Sequence, residues 1–181
     1  MIKIIAGKYG SRNIKTLKGN NTRPTSNKVR GAIFSRVGPY YDGGDSLDLF
    51  AGSGAFSFEA LSRGIKNAYL VDNNRDSINI IKENAKLLDV DVNIINKDYK
   101  IALNLLKDKK FKLIFLDPPY KLRVIDEIIK FVDVNNMLIE DGVIIVETEK
   151  NYQLNKNIGN ISIDKEAIYG DSKISYYIRK V

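Results

Sequence analysis

Cysteine and histidine are both absent from this chain of 181 residues. Without cysteine the chain forms no disulfide, and without either residue only carboxylates remain as strong metal ligands. The absence of histidine also removes the side chain that most often serves as a general base near neutral pH. We therefore expect no metal site, and any chemistry must use Asp, Glu, Lys, Tyr or a bound cofactor.

Long apolar runs are missing as well. Charged residues interrupt every hydrophobic segment, so no segment approaches the length of a membrane span, and the N-terminus lacks the apolar stretch of a signal peptide. A chain of this length is typical of one domain with a sizeable core. These features predict a cytoplasmic protein without a membrane partner. The sequence does not determine the oligomeric state, and a monomer is the favoured expectation.

Acidic residues are absent from the first 41 positions, which hold nine basic residues. The rest of the chain holds 20 basic and 22 acidic residues, so the net charge of +7 comes entirely from the N-terminal segment. A charged run is often only a solvated surface, but an acid-free segment beside a near-neutral remainder favours a polyanionic partner. We predict that this partner is nucleic acid. The candidate contact residues are Lys8, Arg12, Lys15, Arg23, Lys28 and Arg30.

The order of predicted elements indicates an α/β fold. Short apolar runs on either side of a glycine-bearing loop predict a basic β-hairpin over residues 1–20. Thr25 or Ser26 can cap a helix that runs to about Val37. The remaining strands are predicted at 46–50, 68–71, 92–95, 112–116 and 142–148, with an antiparallel pair at 161–163 and 174–178, and the remaining helices at 55–61, 75–88, 101–106 and about 125–132.

Strands and helices alternate from Asp45 onward, which is typical of a parallel sheet covered on both faces. We therefore predict a Rossmann-like core over 45–181, with a mostly parallel sheet of seven strands. Together with the hairpin extension, it forms a single domain over 1–181.

A glycine turn follows the first strand of this core. Gly52 and Gly54 carry no Cβ atom that would keep a ligand away from the backbone, and the helix that begins after them offers free N–H groups. Such a turn at the carboxyl end of a parallel strand predicts a nucleotide site. The alternative is a turn with a purely structural role.

The acidic residues beside this turn favour a cationic nucleotide. A dinucleotide fingerprint requires a third glycine where this chain has Ser57, and Asp48 would lie close to the pyrophosphate. S-adenosylmethionine carries an ammonium group and a sulfonium, so Asp48 suits it better than NAD. Asp72 ends the second strand at the spacing from the glycines at which a carboxylate binds ribose hydroxyls.

The segment Asp117-Pro118-Pro119-Tyr120 follows the fourth strand. Two prolines impose a rigid, extended turn, which any strand could use to end. In an open parallel sheet, however, this turn lies at the same edge as the glycine turn. The Asp117 carboxylate, the Pro118 carbonyl and the Tyr120 ring then suit a flat base with an exocyclic amine, and the stacked ring contributes roughly 1–3 kcal/mol. We assign the catalytic role to these four residues.

These residues carry a resemblance to a known family. Asp117-Pro118-Pro119-Tyr120 resembles the Asp/Asn-Pro-Pro-aromatic motif of class I S-adenosylmethionine-dependent methyltransferases that act on nucleobase amines. The bacterial 16S rRNA (guanine-N2)-methyltransferase family is similar over nearly the whole chain. The segments that carry this closer resemblance are Arg23-Pro24-Thr25, Lys28-Val29-Arg30, Ile33-Phe34, 48–54 and 59–64. Gly31 departs from the family, which more often has an acid there.

The resemblance implies a class I methyltransferase fold, S-adenosylmethionine as cofactor, and methylation of guanine N2 in ribosomal RNA, naked or within a small ribosomal subunit particle. The implied cofactor residues are Asp48 for the methionine amino group, Gly52 and Gly54 beneath the cofactor, Asp72 for the ribose, Asp98 with Tyr99 for the adenine, and Thr25 near the cofactor mouth. On sequence alone, Asp98 also fits a plain surface loop.

Two other functions stay open at this point. An adenine-N6 DNA methyltransferase shares the Asp-Pro-Pro-Tyr motif, although such enzymes usually need a separate target-recognition domain. A non-catalytic RNA-binding protein on the same fold is the second alternative, but it has no need for an intact Asp117 turn and glycine turn.

Overall fold

The computed structural model describes residues 1–18, 25–119 and 121–180. The predicted hairpin, helices and strands are all present, and most end within a few residues of their expected ends, but the strand predicted at 161–163 extends to 169. In chain order the elements are β1 (Ile2–Lys3), β2 (Asn13–Ile14), α1 (Asn27–Val37), β3 (Asp45–Asp48), α2 (Ala55–Ser62), β4 (Asn67–Val71), α3 (Arg75–Leu88), β5 (Asn93–Ile95), α4 (Tyr99–Leu106), β6 (Phe111–Leu116), α5 (Ile125–Val134), β7 (Leu138–Glu149), β8 (Asn157–Ile158), β9 (Ile161–Tyr169) and β10 (Ser172–Arg179).

The main sheet of the described chain has eight strands in the order β5-β4-β3-β6-β7-β10-β9-β8. The pairings from β5 to β7 are parallel, and β10 pairs antiparallel with both β7 and β9. The predicted α/β sheet and its antiparallel C-terminal pair are therefore confirmed. The count differs from the expected seven because Asn157–Ile158 adds a two-residue edge strand beside β9.

The central strand β6 shows how the sheet divides the core. Leu113 and Phe115 pack into the cluster that contains residues of α1, α2 and α3, whereas Ile114 and Leu116 pack into the cluster of α4 and α5. Successive side chains of a strand point to opposite faces, so a strand buried on both sides is apolar throughout. Helices therefore cover both faces of the sheet.

The neighbours β3 and β6 mark a reversal of strand order. From β3 the chain proceeds outward through β4 to β5, and then returns to the other side of β3. Open α/β sheets bind ligands beyond the carboxyl ends of the strands at such a point. Asp48 ends β3 and Asp117 directly follows β6, so the fold brings both carboxylates to this reversal.

The N-terminal hairpin packs closely onto α2. Ile4 and Ile14 are buried within the same cluster as α2. The backbone N–H groups of Ile5 and Ala6 donate to the two carboxylate oxygens of buried Glu59, at 2.9 and 3.2 Å. No helix in the described parts of the chain is long and apolar enough to cross a membrane.

Candidate functional site

A cavity of about 620 Å³ opens at the carboxyl edge of the parallel strands. The glycine turn and the turn that begins at Asp117 both line it, although they are distant in sequence. The residues singled out from the sequence that line this cavity are Thr25, Arg30, Asp48, Gly52, Asp72, Asp98, Tyr99, Asp117, Pro118 and Pro119.

The two glycines of the turn have different roles. Gly52 has a φ of +56°, and a Cβ atom added there would find no heavy atom within 4 Å, so its backbone borders open space. Gly54 has a φ of +80° and precedes α2. A Cβ atom on Gly54 would lie 2.7 Å from the Phe58 ring and 2.8 Å from Leu70. Gly52 leaves room for a ligand, whereas Gly54 is required for packing beneath the turn.

Asp72 fixes the shape of this turn. Its Oδ2 accepts a hydrogen bond from the Gly52 N–H at 2.9 Å, and its Oδ1 accepts one from the Asn74 N–H at 2.8 Å. The half-buried carboxylate therefore has a defined orientation at the cavity wall. Further lone pairs remain on both oxygens for a ligand hydroxyl.

Asp48 is buried with one carboxylate oxygen unsatisfied. Oδ2 accepts a hydrogen bond from the Ser57 hydroxyl at 3.4 Å, while Oδ1 makes no hydrogen bond of normal geometry with the described residues. The backbone N–H of Phe50 lies close enough to favour the ionised form of the carboxylate. Burial, together with the negative charge of Asp72, raises the pKa of Asp48 to about 8. A buried acceptor without a partner is unfavourable, so a ligand that brings an ammonium group fits this position.

An aromatic pair borders the cavity near α4. The rings of Phe50 and Tyr99 lie 5.6 Å apart, and the Tyr99 hydroxyl is hydrogen-bonded to Glu127. Burial and the Glu127 carboxylate raise the pKa of Tyr99. The exposed Asp98 caps α4 by accepting from the Lys100 N–H at 2.9 Å. Phe50 was not among the predicted site residues, although it lies two residues after the end of β3.

The Asp117 turn provides acceptors on the other side of the cavity. Burial, followed by the charges of Glu147 and Asp48, raises the pKa of Asp117 well above its usual range. The Leu122 N–H donates to the Pro119 carbonyl at 2.9 Å and closes the turn. Tyr120 lies outside the described residues, so its stacking role stays a prediction.

Glu147 is a functional candidate that sequence reasoning missed. It lies in β7, the strand beside β6, and its Oε2 accepts a hydrogen bond from the Thr25 hydroxyl at 2.6 Å. This bond joins the segment before α1 to the strand end beside Asp117. In the parts of the chain that the structure describes, no group of three or more acidic side chains is arranged to hold a metal ion.

The structure divides the predicted nucleic-acid contacts. Lys8, Arg12, Lys15 and Lys28 are exposed, and Lys15 forms an ion pair with Glu83 at 2.7 Å. Arg23 lies outside the described residues.

The prediction that Arg30 contacts nucleic acid is wrong. Its side chain is only 2% exposed, and it forms an ion pair with Glu59 at 3.4 Å. Helical spacing placed Arg30 off the apolar face of α1, and the sequence could not reveal the buried carboxylate that holds it.

A family profile and two similar proteins show which family this chain belongs to. The profile of the family described as conserved hypothetical protein 95 matches residues 2–178. A Bacillus subtilis protein named "Putative rRNA methyltransferase YlbH" is 36% identical over 99% of this chain and 100% of its own length. The Escherichia coli protein named "Ribosomal RNA small subunit methyltransferase D" is 31% identical over 99% of this chain and 90% of its own length.

A solved structure shows the same architecture. The Escherichia coli protein named "Putative methyltransferase yhhF" matches with a TM-score of 0.85 and 30% identity, over 99% of this chain and 98% of that chain. The fold is that of the class I S-adenosylmethionine-dependent methyltransferases, as the motifs predicted. The chain belongs to the conserved hypothetical protein 95 family and is a relative of ribosomal RNA small subunit methyltransferase D.

Proposed function

We propose that the protein transfers a methyl group from S-adenosylmethionine to the exocyclic N2 amine of a guanine in 16S ribosomal RNA. The observation that carries this proposal is the cavity shared by Asp48 and Gly52 on one side and Asp117 and Pro118 on the other. Relatives named for rRNA methylation support ribosomal RNA as the substrate. The choice of guanine N2 rests on the resemblance carried by residues 23–34 and 48–64.

The glycine side of the cavity holds the cofactor in this proposal. The unsatisfied Oδ1 of Asp48 accepts a hydrogen bond from the methionine amino group, and the open backbone at Gly52 lies beneath the cofactor. Asp72 binds the ribose hydroxyls, while Asp98 and Tyr99 border the adenine. S-adenosylmethionine supplies an activated methyl group, so the protein contributes mainly positioning, an effect worth about 7–11 kcal/mol in well-oriented systems.

The Asp117 turn holds the methyl acceptor. The lone pair of guanine N2 is delocalised into the ring, so the amine is a poor nucleophile. Hydrogen bonds from its two N–H groups to the Asp117 carboxylate and the Pro118 carbonyl turn the nitrogen toward the methyl group. As the N–CH₃ bond forms and the S–CH₃ bond breaks, the nitrogen loses a proton. Asp117 in its ionised form accepts this proton, because its raised pKa makes it a stronger base than an ordinary carboxylate.

The basic surface beside the cavity binds RNA. Lys8, Arg12, Lys15 and Lys28 are exposed on the hairpin and the start of α1, where they contact backbone phosphates. A paired guanine must leave its stack to reach Asp117. The protein acts in the cytoplasm as a monomer, on free RNA or on an assembling small-subunit particle.

An assay with S-adenosylmethionine labelled in its methyl group tests the proposal. We expect transfer to 16S ribosomal RNA, with N2-methylguanosine as the labelled nucleoside after digestion, and loss of transfer in Asp117→Ala. Label in DNA alone, as N6-methyladenine, would overturn the assignment. Calorimetry that detects RNA binding without cofactor binding would identify a non-catalytic RNA-binding protein instead.

A further inference from the structure

Two buried atoms of opposite charge lack hydrogen-bond partners within the described residues, and both belong to residues that line the cavity. They are Oδ1 of Asp48 and Nη1 of Arg30. Buried charged groups are nearly always paired, because an unsatisfied one loses its hydration without compensation. The proposed ammonium contact accounts for Asp48, but nothing in the proposed function accounts for Arg30.

The rest of the Arg30 guanidinium is firmly held. Nε donates to Glu59 at 3.4 Å, and Nη2 donates both to the Lys3 carbonyl and to the Asn27 side chain, the latter at 3.1 Å. These contacts use one edge of the planar group and leave Nη1 available. A guanidinium fixed in this way loses little conformational freedom when it binds a further acceptor.

The charges around Arg30 do not balance. The Glu59 carboxylate is shared with Arg63, whose Nε donates to it at 2.8 Å, and it also accepts the N–H groups of Ile5 and Ala6. All three charged side chains are buried. Two guanidinium groups therefore share one carboxylate, so Glu59 alone does not neutralise both of them.

We propose that Arg30 binds the carboxylate of the methionine part of S-adenosylmethionine, while Asp48 binds its ammonium group. An α-amino acid carries both charges on one carbon atom, so a cavity with one unsatisfied donor and one unsatisfied acceptor of opposite charge matches it. Arginine binds carboxylates through short, charge-assisted hydrogen bonds. The inference rests on the cofactor site proposed above and gives Arg30 a role other than RNA binding.

Isothermal titration calorimetry with two ligands tests this role. S-adenosylmethionine carries the carboxylate, whereas decarboxylated S-adenosylmethionine lacks it and keeps the ammonium and the sulfonium. We expect Arg30→Gln to lower the affinity for S-adenosylmethionine roughly 10- to 100-fold, which is the range for loss of a hydrogen bond to a charged group. The affinity of Arg30→Gln for the decarboxylated ligand should stay within about twofold of the wild-type value.

Two further variants separate ligand binding from structure. Arg63→Gln removes the other guanidinium that contacts Glu59, but Arg63 does not line the cavity, so it should not discriminate between the two ligands. Arg30→Lys keeps the charge but loses the planar guanidinium group. It should therefore lose less affinity for S-adenosylmethionine than Arg30→Gln does, and it should keep its affinity for the decarboxylated ligand. Circular dichroism checks that each variant is folded, and Arg30→Lys serves as the test if Arg30→Gln does not fold.

The outcomes are distinct. If Arg30→Gln loses the same affinity for both ligands, or loses none for either, the carboxylate contact is overturned and Arg30 has a structural role only. Failure of the wild-type protein to bind either ligand would instead overturn the proposed cofactor site itself.

Discussion

The side-chain amide of Asn84 holds the backbone of Lys15 from both sides. Its Oδ1 accepts the Lys15 N–H at 2.7 Å, and its Nδ2 donates to the Lys15 carbonyl at 3.0 Å. Nδ2 also donates to the carbonyl of Ser53, in the glycine turn, at 3.0 Å. One buried residue of α3 therefore joins the end of the hairpin to the turn that we assign to the cofactor.

Replacing this amide should destabilise the protein. We expect Asn84→Ala to lower the free energy of unfolding by roughly 1–3 kcal/mol, because part-buried backbone groups of Lys15 and Ser53 lose their partners. Affinity for S-adenosylhomocysteine should fall as well, since the glycine turn loses its tether. Urea denaturation and calorimetry measure the two effects.

The neighbouring residue supplies a matched control. Glu83→Gln removes the exposed ion pair with Lys15. It should lower the free energy of unfolding by less than about 1 kcal/mol and leave the affinity for S-adenosylhomocysteine unchanged. If the two variants lose the same amount of stability, the hydrogen bonds of Asn84 are not what stabilises the contact between the hairpin and the glycine turn.

Local patterns in the sequence predicted most of the fold. The helix over 75–88 has its observed bounds because apolar residues recur at helical spacing and Asn74 caps its start. The strand at 111–116 is recognisable as central because it is apolar on both faces. The two-residue strand β8 was missed, because pairing this short depends on the neighbouring strand β9 rather than on local preference.

The site was predictable only where it follows strand ends in sequence. Asp48, Asp72 and Asp117 each lie at or directly after a parallel strand, so sheet topology brings them together. Arg30 and Glu147 belong to α1 and β7, and their partners lie 29 and 122 residues away in sequence. No local pattern encodes contacts of that separation, which is why sequence reasoning places the buried Arg30 at the surface.

Removing the charge of Asp48 should stabilise the protein without ligand. Its pKa of about 8 lies far above the value of about 3.9 for an unfolded aspartate, so ionisation of Asp48 opposes folding. Its contribution to stability is full below pH 4 and is lost as the pH rises through 8. We expect Asp48→Asn to raise the Tm by roughly 5 °C at pH 8 and to change it little near pH 4.

The same variant should bind S-adenosylhomocysteine more weakly, because the ammonium group loses its charged acceptor. Thermal unfolding between pH 4 and 8, followed by calorimetry, measures the two opposite effects. A variant that is less stable than the wild type at pH 8, or that binds the ligand normally, would contradict the role of Asp48.

The exposed lysines should control the salt dependence of RNA binding. Lys8 and Lys28 form no ion pair with a described acidic residue, whereas Lys15 already pairs with Glu83. We expect the double change Lys8→Ala and Lys28→Ala to reduce the slope of log K against log salt by about 0.7–0.9 for each phosphate that is no longer neutralised. Lys130→Ala, on α5 at the face of the sheet away from the hairpin, is the control. An unchanged slope in the double variant would show that the two lysines are solvated surface residues that do not contact RNA phosphates.

Asp117 should be required for methyl transfer but not for cofactor binding. We expect Asp117→Asn to keep the affinity for S-adenosylmethionine within about threefold and to lower the single-turnover rate by at least about 100-fold, because the amine loses its proton acceptor. Calorimetry and rapid-quench assays with 16S ribosomal RNA measure the two quantities separately.

The pH dependence gives a second, independent test of Asp117. Because burial and the Glu147 charge raise its pKa, the carboxyl group stays protonated at low pH and cannot accept the proton from the amine. The wild-type single-turnover rate should therefore rise as the pH passes through the raised pKa of Asp117, while the residual rate of Asp117→Asn should lose this dependence. If the variant keeps the wild-type pH profile, the titrating group is another residue. Near-normal turnover would remove Asp117 from the catalytic role altogether.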